Sequence, residues 1–178
     1  TVVKSEKEML EIIVKGGSDF EPDSKGEYSN SNYVLLSYIL QKAYKKPYEE
    51  LLNAKIIKPL GLKNTYIGGK INPAKNESNS YTYSGEWTKE SETDMSIPMG
   101  AGAVVSTPGD LTKFADALFG GKIISAKSLE QMETLKDNYG MGLFQMPFYD
   151  KKSFGHTGGI DGFSSMFGYF PEDKVAFA

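Results

Sequence analysis

The chain has 178 residues, of which 39% are hydrophobic and 24% charged, and a net charge of −3. A chain of this size buries a real core and fits one domain or a large part of one, and its 11 Tyr and 10 Phe set it apart from disordered sequence. Mixed charge without a basic patch argues against nucleic acid as a partner. The absence of Cys and the single His exclude disulfides and a thiol nucleophile, and leave no ordinary ligand set for zinc. No run approaches the ~20 apolar residues of a membrane span.

Ser5-x-x-Glu8 is a capping-box pattern that opens a first helix with Met9, Leu10, Ile12 and Ile13 as its stripe. Gly16-Gly17 is expected to end it. After a polar loop, a second helix is predicted over 31–43. Its apolar residues, Tyr33 to Leu36 and Tyr38 to Leu40, fall on nearly every face, the pattern of a buried helix. Pro47 suits the first turn of a third helix carrying Tyr48, Leu51, Leu52 and Ile56, with Pro59 and Gly61 as its stop.

Ser84-Gly85 reads as the turn of a hairpin joining 81–83 to 86–89. Gly100-Ala101-Gly102-Ala103 permits close backbone approach. Thr107-Pro108-Gly109-Asp110 supplies an N-cap, an N1 proline and an acidic first turn. That helix carries Leu111, Phe114, Ala115 and Leu118 and ends at Gly120-Gly121. Ser125 caps a further short helix. The last forty residues read as strands: 139–144, 152–157, 162–170 and 174 onward. Helices first and an antiparallel meander last define an α+β class. The expected division of this single partial domain is 1–135, mainly helical, and 136–178, antiparallel strands. Both ends read as cut, since the chain opens at Thr1 without lead-in and stops inside the apolar run Val175-Ala176-Phe177-Ala178.

Two short motifs carry chemistry. Tyr28-Ser29-Asn30 places a phenol and a carboxamide at a helix mouth, although Ser29 or Asn30 reads equally as a plain helix cap. A tyrosine titrates near 10, so using it as a base at neutral pH requires about 4 kcal/mol of preference for the anion, from neighbouring cations. His156-Thr157-Gly158-Gly159 is the second motif. Small residues on an edge-type strand leave room for a ligand backbone to lie alongside. Thr157 offers a hydroxyl to a carboxylate, and the Gly159 amide suits a developing oxyanion. His156 carries a proton or donates a hydrogen bond, or is simply a packed strand residue. A local triad through Asp161 is disfavoured, because Asp161 is too near His156 in sequence and no Gly-x-Ser-x-Gly elbow exists. The Gly-Gly-Lys triplets at Gly68 and Gly120 lack phosphate-loop spacing and read as turns.

In order along the chain, five segments resemble the serine beta-lactamase and penicillin-binding protein family, nearest its class C and D-Ala-D-Ala carboxypeptidase branch. They are Tyr28-Ser-Asn-Ser-Asn-Tyr-Val-Leu-Leu, Lys58-Pro-Leu-Gly-Leu-Lys-Asn-Thr65, Gly100 to Phe114, Tyr139-Gly-Met-Gly-Leu143 and Gly155-His-Thr-Gly-Gly-Ile-Asp-Gly-Phe163. The resemblance implies a beta-lactamase/transpeptidase-like fold, a helical subdomain beside part of an antiparallel sheet. It implies an acyl-serine hydrolase acting on a D-amino-acid peptide, a beta-lactam or an ester, without a cofactor, in the cell envelope, periplasm or extracellular space. Tyr28 would move protons, Asn30 would bind the acyl side chain, and His156 would shape the field at Tyr28 and assist a substrate carboxylate. Thr157 and Gly158 would line the substrate, and Gly159 N–H would form half of the oxyanion hole. One element departs from the family: no Ser is followed three residues on by Lys, and Thr1-x-x-Lys4 fits only loosely. The chain alone is therefore expected to be inactive on that route. The rival expectation is a non-catalytic module that binds peptidoglycan or D-amino-acid peptides.

Overall fold

The computed structural model describes residues 2–178. Helix α1 spans Glu6–Gly16, and its capping box is complete: Ser5 takes the Glu8 amide while Glu8 takes the Ser5 amide. Gly17, at φ 78°, closes it. Helix α2, Asn30–Tyr44, packs on α1 through Met9, Val34 and Tyr38, which with Ile97, Met99 and Ala101 form a core cluster. The expectation that α2 is buried all round does not hold. Leu36, Ile39, Leu40 and Tyr44 are 49%, 58%, 41% and 52% exposed, because only the face bearing Val34, Ser37 and Tyr38 meets other described residues closely.

The third helix also differs from expectation. Helix α3, Tyr48–Leu52, runs into a π-helical turn over Asn53–Ile57 and on through α4, Lys58–Leu60, so Pro59 does not stop it. A proline interior to an α-helix lacks an N–H and crowds the carbonyl four residues back. The wider turn immediately before Pro59 relieves that conflict. Gly61, left-handed at φ 62°, makes the actual stop.

Two short ladders lie within the mainly helical part. Strands β1 (Tyr66–Ile67) and β4 (Val104–Val105) pair, a ladder the sequence did not announce, and β2 (Tyr81–Tyr83) pairs with β3 (Trp87–Lys89) as the expected hairpin. Helix α5, Pro108–Phe119, is capped by Thr107 as predicted, and α6, Ala126–Glu133, by Ser125. The main sheet is an antiparallel meander of β5 (Phe144–Phe148), β6 (Lys151–Ile160), β7 (Phe163–Phe170) and β8 (Val175–Phe177). Helix α5 lies on it: Phe119 stacks on Tyr169 at 4.7 Å, and Phe114 meets Phe167 edge-on at 5.9 Å. No helix among the described residues is long and apolar enough to cross a membrane.

The segment 139–143 is not a strand. Asp137 and Asn138 have positive φ, Gly142 sits at φ 74°, and Tyr139 makes only isolated bridges to Lys136 and Phe144. Two buried contacts fix the helical layer. A Cβ on Gly100 would lie 2.6 Å from the Tyr33 carbonyl oxygen and 2.9 Å from Ser37 Cβ, so glycine sets how closely residues 98–102 approach α2. Asp110, 2% exposed, accepts from Asn64 N–H at 2.7 Å and Thr65 Oγ1 at 3.1 Å, tying α5 to the loop before β1.

Gly100→Ala should cost about 1–3 kcal/mol, because the α2 backbone must move to admit a methyl group; a urea titration compared with the unmodified chain measures it. Burial pushes the Asp110 carboxyl upward, but hydrogen bonds from Asn64, Thr65 and Lys113, with the Lys113 charge, outweigh it and hold the carboxyl below its ordinary range. Its stabilisation is therefore complete above about pH 3.9, the value of an unfolded aspartate, and is lost as pH falls through the lower folded value. Asp110→Ala should cost about 1–3 kcal/mol near neutral pH, and the difference between the two proteins should narrow on acidification, as read by urea titrations at stepped pH.

Candidate active site

Tyr28 stands one residue before the Ser29 N-cap of α2, and Ser29 makes no side-chain capping bond. Asn30 is the first helical residue, and its Oδ1 accepts from the Tyr28 hydroxyl at 3.0 Å. The helix mouth thus holds the phenol by its proton. The Tyr28 ring lies 5.8 Å from the His156 ring, centroid to centroid. His156 in turn packs on Phe144 at 4.4 Å. Its Nδ1 bonds the Thr157 carbonyl oxygen. A carbonyl only accepts, so Nδ1 carries hydrogen, and in the neutral ring Nε2 keeps the lone pair.

Strand β6 has two environments. Lys151 to Gly155 pair with β5, with Gly155 opposite Phe144, and β7 joins on the other side from Phe154; from His156 to Ile160 the strand pairs with β7 alone. The edge-type character expected of the motif therefore belongs to that second half, which is free on one side because β5 begins at Phe144. Tyr28, Asn30, His156, Thr157, Gly158 and Gly159 all line one cleft of about 740 Å³, whose other walls include Val34, Leu111, Phe114 and Phe167. A Cβ on Gly158 would sit 2.6 Å from Ser165 Oγ, and one on Gly155 only 2.0 Å from the Phe167 carbonyl oxygen, so glycine lets β6 run close against β7 at both positions.

Asp161 is committed elsewhere. Its carboxylate accepts from Thr93 N–H at 2.6 Å and Thr93 Oγ1 at 2.7 Å, and its carbonyl accepts from Ser80 Oγ. With Gly162 it forms the two-residue turn between β6 and β7, both at positive φ. The Asp-Gly pair is a strong hairpin signal, and reading it would have carried the first strand from 157 on to Ile160 and started the second at Phe163 rather than Gly162. Three rings without an assigned role also surround the pair: Tyr139 stacks on Tyr28 at 6.1 Å, Tyr33 lies 6.3 Å away, and Phe144 supports His156. Tyr139 belongs to a segment that resembles the family, which was the available signal.

The electrostatics differ from what a tyrosine base requires. Among the described residues no Lys or Arg lines the cleft. Burial, then the neighbouring Tyr33 and Tyr139, raise the Tyr28 phenol above the ordinary tyrosine value. Among the described residues no group of three or more His, Asp or Glu side chains is placed to hold a metal ion.

A helical layer on an antiparallel meander, with a tyrosine at a helix mouth facing a His-Thr-Gly strand across a cleft, defines a beta-lactamase/transpeptidase-like protein. Residues 2–178 match the Beta-lactamase family model, and the chain belongs to that family. A Bacillus subtilis (strain 168) sequence provisionally described as penicillin-binding protein PbpX is 33% identical over 145 residues, 79% of this chain and 36% of the relative. Among solved structures, D-amino acid amidase from Ochrobactrum anthropi SV3, complexed with D-phenylalanine, is 30% identical with a TM-score of 0.81, covering 99% of this chain and 56% of that one. A D-stereospecific amidohydrolase from Streptomyces sp. is 28% identical with a TM-score of 0.88, covering 98% and 55%. The chain thus spans little more than half the length of these solved relatives and less of the curated one.

Tyr28 should ionise above about pH 10, the ordinary tyrosine value. A pH titration of tyrosine Cζ carbons by NMR, with Tyr28→Phe to assign the signal, measures this; ionisation at or below that value would mean that burial and the two neighbouring tyrosines do not govern the phenol.

Proposed function

We propose that this chain is the part of a penicillin-binding-type serine hydrolase that supplies the proton-handling tyrosine, the acyl-side amide and the substrate-lining strand. The supporting observation is the convergence of Tyr28, Asn30 and His156 to Gly159 on one cleft in a Beta-lactamase family chain. The substrate class is a D-amino-acid amide or peptide, in keeping with the amidase and amidohydrolase among its structural relatives. A beta-lactam or ester is attacked by the same chemistry.

The nucleophile is a serine outside this sequence, carried with a lysine on a helix that seats against the apolar wall of Val34, Leu111 and Phe114. That lysine supplies the positive charge that the described cleft lacks, and brings Tyr28 down toward a working base. Tyr28 takes the serine proton as the acyl bond forms and returns it to the leaving amine; water then releases the acyl group by the reverse sequence. Asn30 fixes the acyl side, Thr157 and Gly158 line the substrate, and Gly159 N–H faces the developing oxyanion. His156 is expected to tune the Tyr28 field and to assist a substrate carboxylate. By kinship with penicillin-binding proteins, the working compartment is the cell envelope, periplasm or extracellular space.

The test uses a longer polypeptide that contains the upstream segment. A fluorescent penicillin or D-phenylalanine amide should form a covalent adduct on a serine outside residues 1–178, detected by gel and by mass. Tyr28→Phe should lower kcat/KM by about 10²–10⁴-fold, and His156→Ala should change the pH profile. Folded protein that forms no adduct and hydrolyses no D-amino-acid amide, yet binds it, would establish the non-catalytic binding module instead.

A further inference from the structure

A second cavity, of about 180 Å³, adjoins the cleft and shares Tyr28, Tyr33 and His156 with it as wall. Four of its lining rings close a circuit. Tyr28 to Tyr139 is 6.1 Å, Tyr139 to Phe144 is 6.1 Å, Phe144 to His156 is 4.4 Å, and His156 returns to Tyr28 at 5.8 Å. Tyr33 stands beside the circuit, 6.3 Å from Tyr28. Rings at these separations place a cation seated among them inside the ≈ 6 Å over which an aromatic ring attracts it. The rings have not collapsed into a closed core: Tyr28 and Tyr139 remain 43% and 41% exposed around the cavity.

Charge points the same way. Glu27 lines the cavity, and among the described residues no Lys or Arg does. Lys25 bonds Glu27 Oε2 at 2.7 Å, which leaves Oε1 for a second cation. We propose that this ring-walled cavity binds an organic ammonium group, the chemistry of a free α-amino group on an amino-acid amide or of a quaternary ammonium. A neutral apolar group of the same shape gains only the burial, whereas the ammonium also gains the ring faces and the carboxylate. A cation held there faces the Tyr28 phenol, whose ionisation burial and its neighbouring tyrosines oppose. Binding needs no nucleophile, so this site stands or falls separately from the hydrolase reading.

Aromatic NMR of the isotope-labelled protein tests it, with tetramethylammonium chloride as the probe, neopentyl alcohol as its neutral counterpart and sodium chloride to match ionic strength. Saturable shifts of the Tyr28, Tyr139 and His156 ring signals are expected with tetramethylammonium, and binding about two- to five-fold weaker with neopentyl alcohol. Tyr139→Phe should keep the discrimination and Tyr139→Leu should lose it. D-phenylalanine amide shifting the Tyr139 and Phe144 ring signals, which line this cavity and not the cleft, with its N-acetyl form silent, would identify an amino terminus as the natural source. Equal responses to the two probes, or shifts that sodium chloride reproduces, would overturn the proposal. If Tyr139→Leu fails to fold, the comparison of probes in the unmodified protein decides.

Discussion

The contact between the Tyr28 and His156 rings, 5.8 Å apart, joins the two halves of the cleft. It is possible because two elements from opposite ends of the chain are held at a set distance. On the helical side, Gly100 lets residues 98–102 press onto α2 beside Tyr33. On the sheet side, β6 continues for five residues after its partner β5 has ended, so His156 to Ile160 present an open backbone edge. The Asp161 clamp on Thr93 and Ser80 holds the far end of that edge. Each restraint acts on backbone position, which is why small residues recur around the site where bulk would otherwise fill the cleft.

The same arrangement gives the site a definite protonation state. The phenol is a donor to Asn30, its ionisation is opposed by burial and by two neighbouring tyrosines, and the described cleft has no lysine or arginine. In this chain Tyr28 is built to hold a proton. Turning it into an acceptor takes positive charge brought from outside, whether from another part of the polypeptide or from a ligand.

Local chemistry was legible where one residue decides the outcome. The Ser5 capping box, the Thr107 and Ser125 caps and the hairpin around Ser84-Gly85 all follow from side chains that satisfy or turn their own backbone. Misreadings arose where the local backbone departs from the pattern its residues suggest, or where distant partners decide. Pro59 stays helical because the preceding turn widens, and 139–143 is irregular because a tight turn at Asp137-Asn138 precedes it and Gly142 bends it at positive φ, overriding a strand-like composition. The β1–β4 ladder joins segments nearly forty residues apart, with no pattern in two-residue strands to announce it. The candidate site residues stand out through motif resemblance; the packing of Tyr139 and Tyr33 around Tyr28 depends on tertiary structure and left no periodic trace.

The outward face of α2, with Leu36, Ile39, Leu40 and Tyr44 in water, bears on how the polypeptide behaves in a test tube. Residues spaced three and four apart form one continuous greasy ridge, and such ridges drive self-association. With a net charge of only −3 there is little colloidal repulsion to oppose it. Handled alone at high concentration, the chain should be a sparingly soluble species whose yield rises with mild detergent or arginine.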